Sequence, residues 1–134
     1  MKGVILASHG DLAKGLLNTS ELFFGKQEQL VACCIYQDDN PDDFSEKLKK
    51  EIINVDTGDG VIVLCDLLFG TPCNCLARLI NEGIENFDVI TGMNLAILLQ
   101  ILSTRENMDI DLKEALNQGV QGIQDLKEML NKAI

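Results

Sequence analysis

The sequence predicts a doubly wound α/β domain, with a mainly parallel sheet covered by helices on both faces. Short apolar runs typical of buried strands alternate with longer segments in which apolar residues recur at helical spacing. The connections between successive strands are too long for hairpins, so we expect right-handed crossovers. One run, Val61–Cys65, is apolar throughout, as is typical of a central strand in a parallel sheet.

The first half of the chain predicts two strands and two helices in alternation. Lys2–Ala7 is the opening strand, and from Asp11 to Phe24 apolar residues recur close to helical spacing. Gly25 is suited to end that helix. Gln29–Tyr36 predicts the second strand. A second helix follows Pro41, and its inward stripe is Phe44, Leu48, Ile52 and Val55.

The second half continues the alternation after the third strand, Val61–Cys65. A helix begins near Pro72, because proline suits the first helical position and a threonine stands just before it. The remaining elements are a fourth strand at Phe87–Thr91, an apolar helix at Leu95–Leu102 and a final amphipathic helix at Leu112–Leu130, with Asp109 or Asp111 as its cap. The helix from Leu95 is apolar on several sides, which favours packing against a second subunit and hence a homodimer.

Length and charge limit the function classes. The 134 residues predict a single domain spanning 1–134, and no apolar run approaches the roughly 20 residues of a membrane span. The opening residues lack the features of a signal peptide, so we expect a cytoplasmic protein. A net charge of −10 argues against a nucleic-acid partner. This acidity suits a partner with a positive face, although it serves solubility equally well.

The cysteines do not predict a metal site. There are five, without a Cys-x-x-Cys pair, and the single histidine cannot complete ordinary zinc spacing. We interpret them as reduced, mostly buried thiols, and we expect neither a metal nor a cofactor.

Two polar residues stand at the ends of neighbouring strands. His9 follows the first strand and Asp66 follows the third, and in a doubly wound sheet the carboxyl ends of these strands lie side by side. A carboxylate beside an imidazole fixes which ring nitrogen holds the proton and leaves the other as a nucleophile. Each residue also has a structural interpretation, His9 as a satisfied strand-end histidine and Asp66 as an ordinary cap.

A turn that leads into the amino end of a helix completes the candidate site. Gly70, Thr71 and Pro72 supply a glycine, a hydroxyl and the amino end of a helix, where N–H groups and the helix dipole favour phosphate. Ser8 and Gly10 flank His9 and are expected to support the same site. Taken alone, the turn is also compatible with a plain helix start.

Several enzyme classes are excluded by missing residues. The nucleotide P-loop motif and the Rossmann glycine pattern are both absent. Asp66 resembles the phosphoacceptor of a response-regulator receiver, but the acidic pair that such a domain needs after its first strand is replaced here by Ser8-His9. A cysteine phosphatase requires an arginine six residues after its cysteine, and Arg78 lies five after Cys73 and three after Cys75.

Three motifs over essentially the whole chain resemble the IIA component of the mannose-family sugar phosphotransferase system (PTS). They are V-I-L-A-S-H-G at the start, D-L-L-F-G-T-P-C-N after the third strand and V-I-T-G-M-N-L after the fourth. Where the family usually has paired glycines before Ser/Thr-Pro, this chain has Phe69 before Gly70, and Leu67 stands where some members have a hydroxyl.

The resemblance implies a phosphoryl carrier. In this family the histidine after the first strand accepts phosphate from the phosphocarrier protein HPr and passes it to the IIB component, which serves the membrane components IIC and IID. The motif assigns this role to His9 and the orienting role to Asp66. The resemblance also implies a homodimer tied by an exchanged antiparallel edge strand, which the sequence does not locate. Two alternatives are the phosphoryl-transfer subunit of a PTS-dependent dihydroxyacetone kinase and a non-catalytic, anion-binding regulatory module.

Overall fold

A computed structural model describes residues 1–107 and 110–132 of the chain. The elements in these ranges are, in order, β1 (Gly3–His9), α1 (Leu12–Phe24), β2 (Leu30–Ile35), α2 (Pro41–Val55), β3 (Val61–Cys65), α3 (Thr71–Asn81), β4 (Phe87–Ile90), α4 (Leu95–Thr104), α5 (Leu112–Gln121) and α6 (Leu126–Lys132). No helix in this part of the chain is long and apolar enough to cross a membrane.

The sheet confirms the predicted fold class. Within the described residues it has four strands in the order β2-β1-β3-β4, and every neighbouring pair is parallel. The chain steps from β1 to β2 on one side and then returns to place β3 on the other side of β1. The strand order therefore reverses between β1 and β3, where doubly wound sheets have their crevice. The predicted antiparallel edge strand is not among the elements of the described ranges.

Alternate residues of the strands supply two separate cores. Ile5 and Ala7 of β1 face the core formed with α2 and α3, whereas Val4 and Leu6 face the core formed with α1, α4 and α5. All four side chains are fully buried. The period of two in a strand thus gives β1 one apolar surface for each helical layer, which explains its unbroken apolar run.

The last predicted helix is in fact two helices, so the prediction of one continuous helix at Leu112–Leu130 was wrong. α5 ends at Gln121 and is capped by Gly122, where an added Cβ would lie 2.9 Å from the Cβ of Ala96 on α4. Asp125 then starts α6, and its Oδ1 accepts a hydrogen bond from the Glu128 N–H. α5 is capped by Asp111, and the alternative cap, Asp109, lies outside the described residues.

The apolar character of α4 is explained within the chain. Ile97, Leu98, Ile101 and Leu102 are buried in the core that α4 shares with β1, β3, α1 and α5. Gly119 of α5 allows close contact, because an added Cβ would lie 2.9 Å from the Cβ of Ile97. Packing against a second subunit is therefore not needed to account for these α4 residues.

Arg105 joins the end of α4 to the amino ends of the strands. Its side chain is 1% exposed, and its guanidinium donates hydrogen bonds to the carbonyl oxygens of Glu28 and Gln29 and to Oε1 of Gln27. Burial lowers the pKa of this guanidinium from its usual value. Because these partners all belong to the loop that precedes β2, the buried guanidinium holds the end of α4 against that loop.

Candidate active site

The structure brings His9 and Asp66 into direct contact. His9 is the last residue of β1 and Asp66 directly follows β3, the adjacent strand. Oδ2 of Asp66 lies 2.8 Å from the ring Nδ1 of His9 and also accepts a 2.9 Å hydrogen bond from the His9 backbone N–H. The carboxylate therefore fixes both the backbone and the ring of the same residue.

This contact determines the tautomer of His9. An ionised carboxylate can only accept hydrogen bonds, so Nδ1 must hold the proton that bridges to Asp66. The second ring nitrogen, Nε2, then has its lone pair available, and it makes no hydrogen bond within the described residues. The His9 side chain is 46% exposed, whereas that of Asp66 is only 10% exposed. The arrangement presents a nucleophilic nitrogen to solvent on a buried, charged support.

The other carboxylate oxygen of Asp66 is left without a donor. Oδ1 is buried and has no hydrogen-bond partner among the described residues. Most buried polar atoms are paired, and one that is not costs free energy. The negative charge of Asp66 is therefore satisfied only on the side of His9, which favours a positively charged or phosphorylated ring.

Gly70 is required by its distance from the imidazole. A Cβ at this position would lie 2.7 Å from Cε1 of His9 and 3.3 Å from Nε2. Real Cβ atoms do not approach a ring atom as closely as 2.7 Å, so any larger residue would displace the ring or the turn. The backbone of the turn at Gly70 thus forms one wall against His9.

Ser8 supports the site from within the protein. Its side chain is fully buried, its Oγ accepts a hydrogen bond from the Ala13 N–H at 2.8 Å and it donates to the Gly10 carbonyl at 3.2 Å. These bonds hold the start of α1 and the turn at Gly10, whose φ of +56° is accessible to glycine without strain. The geometry gives Ser8 a structural task, in which its buried hydroxyl holds the backbone on either side of His9.

A cleft of about 440 Å³ opens beside His9. Its lining includes Gly10, Tyr36, Asp39 and Thr71, so it lies between the carboxyl ends of β1 and β2 and the amino ends of α2 and α3. This is the edge of the sheet where doubly wound proteins bind ligands.

Tyr36 is a cleft residue that sequence reasoning missed. Its hydroxyl donates a 2.6 Å hydrogen bond to Oδ1 of Asp11, and Nζ of Lys14 donates to that hydroxyl at 3.3 Å. The hydrogen bond to Asp11 raises the pKa of Tyr36. The available signal was its position directly after the second strand, at the same edge as His9.

The amino end of α3 faces the same cleft through Thr71. Gly70 is the N-cap, Thr71 is the first helical residue and Pro72 is the second, so the helix starts one residue earlier than predicted. The N–H groups of Thr71 and Cys73 belong to the first turn, where an α-helix offers no acceptor, and Pro72 has no N–H. Two backbone donors, the Thr71 hydroxyl and the helix dipole are thus available to an anion.

The cysteine thiols take no part in this site. All five are free thiols, and the described residues contain no cluster of three or more His, Cys, Asp or Glu side chains that could hold a metal ion. Burial raises the pKa of Cys33 to about 11 and that of Cys65 to about 12, so both remain protonated at neutral pH.

Comparison with protein families gives a match to the family EIIA-man, described as the PTS system fructose IIA component, over residues 3–118. The chain belongs to this family. The match covers both strands that provide His9 and Asp66, and the turn through Gly70. This EIIA-man domain is thus a IIA component of a sugar phosphotransferase system, a phosphoryl carrier that transfers phosphate through histidine.

Individual relatives agree with this assignment. The fructose-specific EIIA component of Bacillus subtilis is 33% identical over 117 residues, covering 87% of this chain and 78% of that protein. The mannose-specific EIIAB component of Escherichia coli K12 is 29% identical over 92% of the chain, which spans only 39% of that longer protein. A PTS IIA protein associated with the fucose utilization operon of Streptococcus pneumoniae superposes with a TM-score of 0.88, at 29% identity and 96% coverage of both chains. The dihydroxyacetone kinase alternative is not favoured.

Proposed function

We propose that Nε2 of His9 is the atom that carries the phosphoryl group in this EIIA-man domain. The observation that supports this assignment is the hydrogen bond from Nδ1 of His9 to Oδ2 of Asp66, which leaves Nε2 unprotonated on a side chain that is 46% exposed. IIA components of this family receive phosphate from HPr and deliver it to IIB, which acts with IIC and IID. We assign the same donor and acceptor to His9.

The transfer is a displacement at phosphorus. The lone pair of His9 Nε2 forms the new N–P bond while the N–P bond in phosphorylated HPr breaks, and its electron pair returns to the donor's imidazole. The His9 Nδ1 proton stays on the hydrogen bond to Asp66, whose negative charge stabilises the positive charge that develops on the ring. Transfer to IIB reverses these steps on a second imidazole.

The phosphoryl oxygens are placed toward the amino end of α3. The N–H groups of Thr71 and Cys73 and the Thr71 hydroxyl provide neutral donors there. A carrier benefits from such moderate support, because a deeply caged phosphate would not be released to the next protein. The exposed ring of His9 fits a site that two proteins must reach in turn.

We assign no sugar contact to this chain. The relatives have names that refer to fructose, mannose and fucose utilization, and yet all match this same domain. In the proposed reaction the cleft beside His9 handles only the phosphoryl group between two imidazoles. The choice of sugar would then lie with the acceptor and membrane components.

We also propose that the domain is a homodimer, with α6 in the interface. Within the chain α6 has no buried residue, and Leu126, Met129 and Leu130 are 66%, 53% and 58% exposed. A helix of seven residues is not stable in water by itself, so its apolar side chains need a cover. Light scattering should give a mass of two chains, and Leu126→Glu with Met129→Glu should reduce it to one. A single-chain mass for the unaltered protein would contradict the dimer.

The carrier assignment is tested by phosphorylation with phosphoenolpyruvate, enzyme I and HPr. We expect one acid-labile, base-stable phosphate per chain, absent from His9→Ala, with the label mapped to a histidine by mass spectrometry. Tyr36→Phe is a matched control, since it retains the ring in the cleft and removes only the hydroxyl. An unlabelled wild-type protein would refute the role of His9.

A further inference from the structure

Three consecutive large apolar side chains are exposed beside the active site. Leu67, Leu68 and Phe69 are 59%, 55% and 76% exposed, and they form the turn between Asp66 and Gly70. Single exposed apolar residues are ordinary on protein surfaces, but a contiguous group marks an interaction surface. We refer to Leu67–Phe69 as the apolar turn.

The apolar turn has a backbone conformation that is strained at its last residue, Phe69. The Gly70 N–H donates to the Leu67 carbonyl at 3.1 Å, which closes a four-residue turn, and Phe69 has a φ of +64°. The third position of such a turn favours glycine or asparagine, because a Cβ is strained at positive φ. The Asn74 side chain holds the Phe69 carbonyl at 3.2 Å. A bulky aromatic residue in this position, 76% exposed, gains little packing within the described residues and points to an external contact.

The two residues that flank the apolar turn lie against His9. Asp66, directly before it, binds Nδ1 of the ring, and Gly70, directly after it, lies against Cε1. A protein that brings a phosphohistidine to Nε2 of His9 must therefore contact the surface next to the apolar turn.

The surroundings of the apolar turn are acidic. Asp39 lines the cleft beside His9, and Asp11, Asp38 and Asp43 are exposed on segments at the same edge of the sheet, where Asp42 is paired with Arg78. The chain as a whole has a net charge of −10. A complementary partner would have an apolar centre bordered by lysine and arginine.

We propose that the apolar turn is the docking surface for the protein phosphoryl donor, through an apolar face that surrounds its phosphohistidine and is bordered by cations. This inference rests on the proposed role of His9. The donor is favoured over the acceptor because it arrives with the phosphoryl charge already on it, against the acidic surroundings of the cleft. Binding of the donor therefore depends more on apolar contacts than binding of the acceptor does. The acceptor binds when His9 is phosphorylated, and the negative charge of that phosphate attracts the acceptor's cations.

The test separates docking from chemistry with a small phosphoryl donor. Phosphorylation of Phe69→Gly and of Leu67→Ser with Leu68→Ser is measured with phosphorylated HPr and with phosphoramidate, a donor without a protein surface. We expect the ratio of the HPr rate to the phosphoramidate rate to fall about tenfold or more, through KM. Phe69→Gly should also raise the Tm by about 2–5 °C, since glycine relieves the positive φ.

Two control variants make similar changes at positions far from the apolar turn. Asn86→Gly replaces another residue at positive φ, +68°, before β4 at the far end of the sheet. Ile53→Ser removes an apolar side chain that is 64% exposed near the end of α2. Both should leave the rate ratio unchanged.

The outcomes are distinct. An unchanged ratio in the Phe69 and Leu67 variants would overturn the docking surface, as would a loss confined to the transfer from His9 to IIB. A change in the number of chains on light scattering would instead assign the apolar turn to a second copy and would also overturn it. Failure of wild-type labelling by both donors would refute the role of His9 itself, and not the docking surface alone.

Discussion

One oxygen of Asp66 accepts two hydrogen bonds from a single residue, at 2.8 Å from the ring Nδ1 of His9 and at 2.9 Å from its backbone N–H. The residue that orients the nucleophile thus also holds the end of the strand that presents it. The same carboxylate sets the position and the tautomer of the imidazole. A substitution of Asp66 should therefore lower the rate of phosphorylation in a protein that still folds.

Asp66→Asn should slow phosphorylation of His9 by roughly 10²-fold, because the amide oxygen can still accept both hydrogen bonds from His9 but no longer supplies the negative charge that stabilises the cationic ring. Phosphorylation rates from HPr, with circular dichroism to verify folding, provide the measurement. Asp88→Asn on β4, an exposed carboxylate at the sheet edge, is the control and should be neutral. A normal rate in Asp66→Asn would reduce Asp66 to a strand-end cap.

Gly70→Ala should reduce the phosphorylation rate by about tenfold or more, since the new Cβ would meet Cε1 of His9 at 2.7 Å and displace the ring. Gly15→Ala in α1 is the matched control, because nothing lies within 4 Å of its added Cβ. That control should be fully active and more stable by about 0.5–1 kcal/mol, as alanine favours a helix interior. Equal rates in the two variants would show that the close approach of Gly70 is not used.

Arg105→Ala should lower the free energy of unfolding by roughly 2–4 kcal/mol, because the partly buried carbonyl oxygens of Glu28 and Gln29 lose charged donors. The midpoint of urea denaturation measures this effect. Arg78→Ala removes a guanidinium that is paired on the surface with Asp42 and Glu82, so its midpoint should hardly move. Similar losses in both variants would contradict the structural role of Arg105.

Iodoacetamide at pH 8 should modify Cys73, the partly exposed thiol, and leave Cys33 and Cys65 intact in the folded protein. The thiolate is the reactive form, and pKa values of about 11 and about 12 keep these two thiols protonated at that pH. Peptide mapping identifies the modified residues, and denaturation first should allow all five to react. Rapid modification of Cys65 in the native protein would contradict its burial.

Alternation of apolar runs and helical periods was sufficient to predict the layers, the parallel strands and the juxtaposition of His9 with Asp66. These features depend on patterns of many residues, which tolerate errors at any one position. The break between α5 and α6 was missed because Gly119 lies inside α5 whereas Gly122 caps its end, and local periodicity does not distinguish the two glycines.

Several details of the site could not be predicted from the sequence, because they depend on how separate segments pack together. Leu67 and Phe69 were recognised as departures from the family pattern, but the positive φ of Phe69 follows from a turn closed between Leu67 and Gly70. The inward orientation of Ser8 depends on which face of β1 its side chain takes. Tyr36 enters the cleft only because β2 lies beside β1.

The central position of β1 has a consequence for the order in which the protein matures. His9 is synthesised 57 residues before Asp66, and its strand is completed only when β3 is added on one side and β2 on the other. An emerging chain that stops short of Asp66 contains the histidine without the carboxylate that orients its ring and fixes its tautomer. The growing polypeptide therefore acquires its phosphate-accepting chemistry only after the segment that carries Asp66 has left the ribosome.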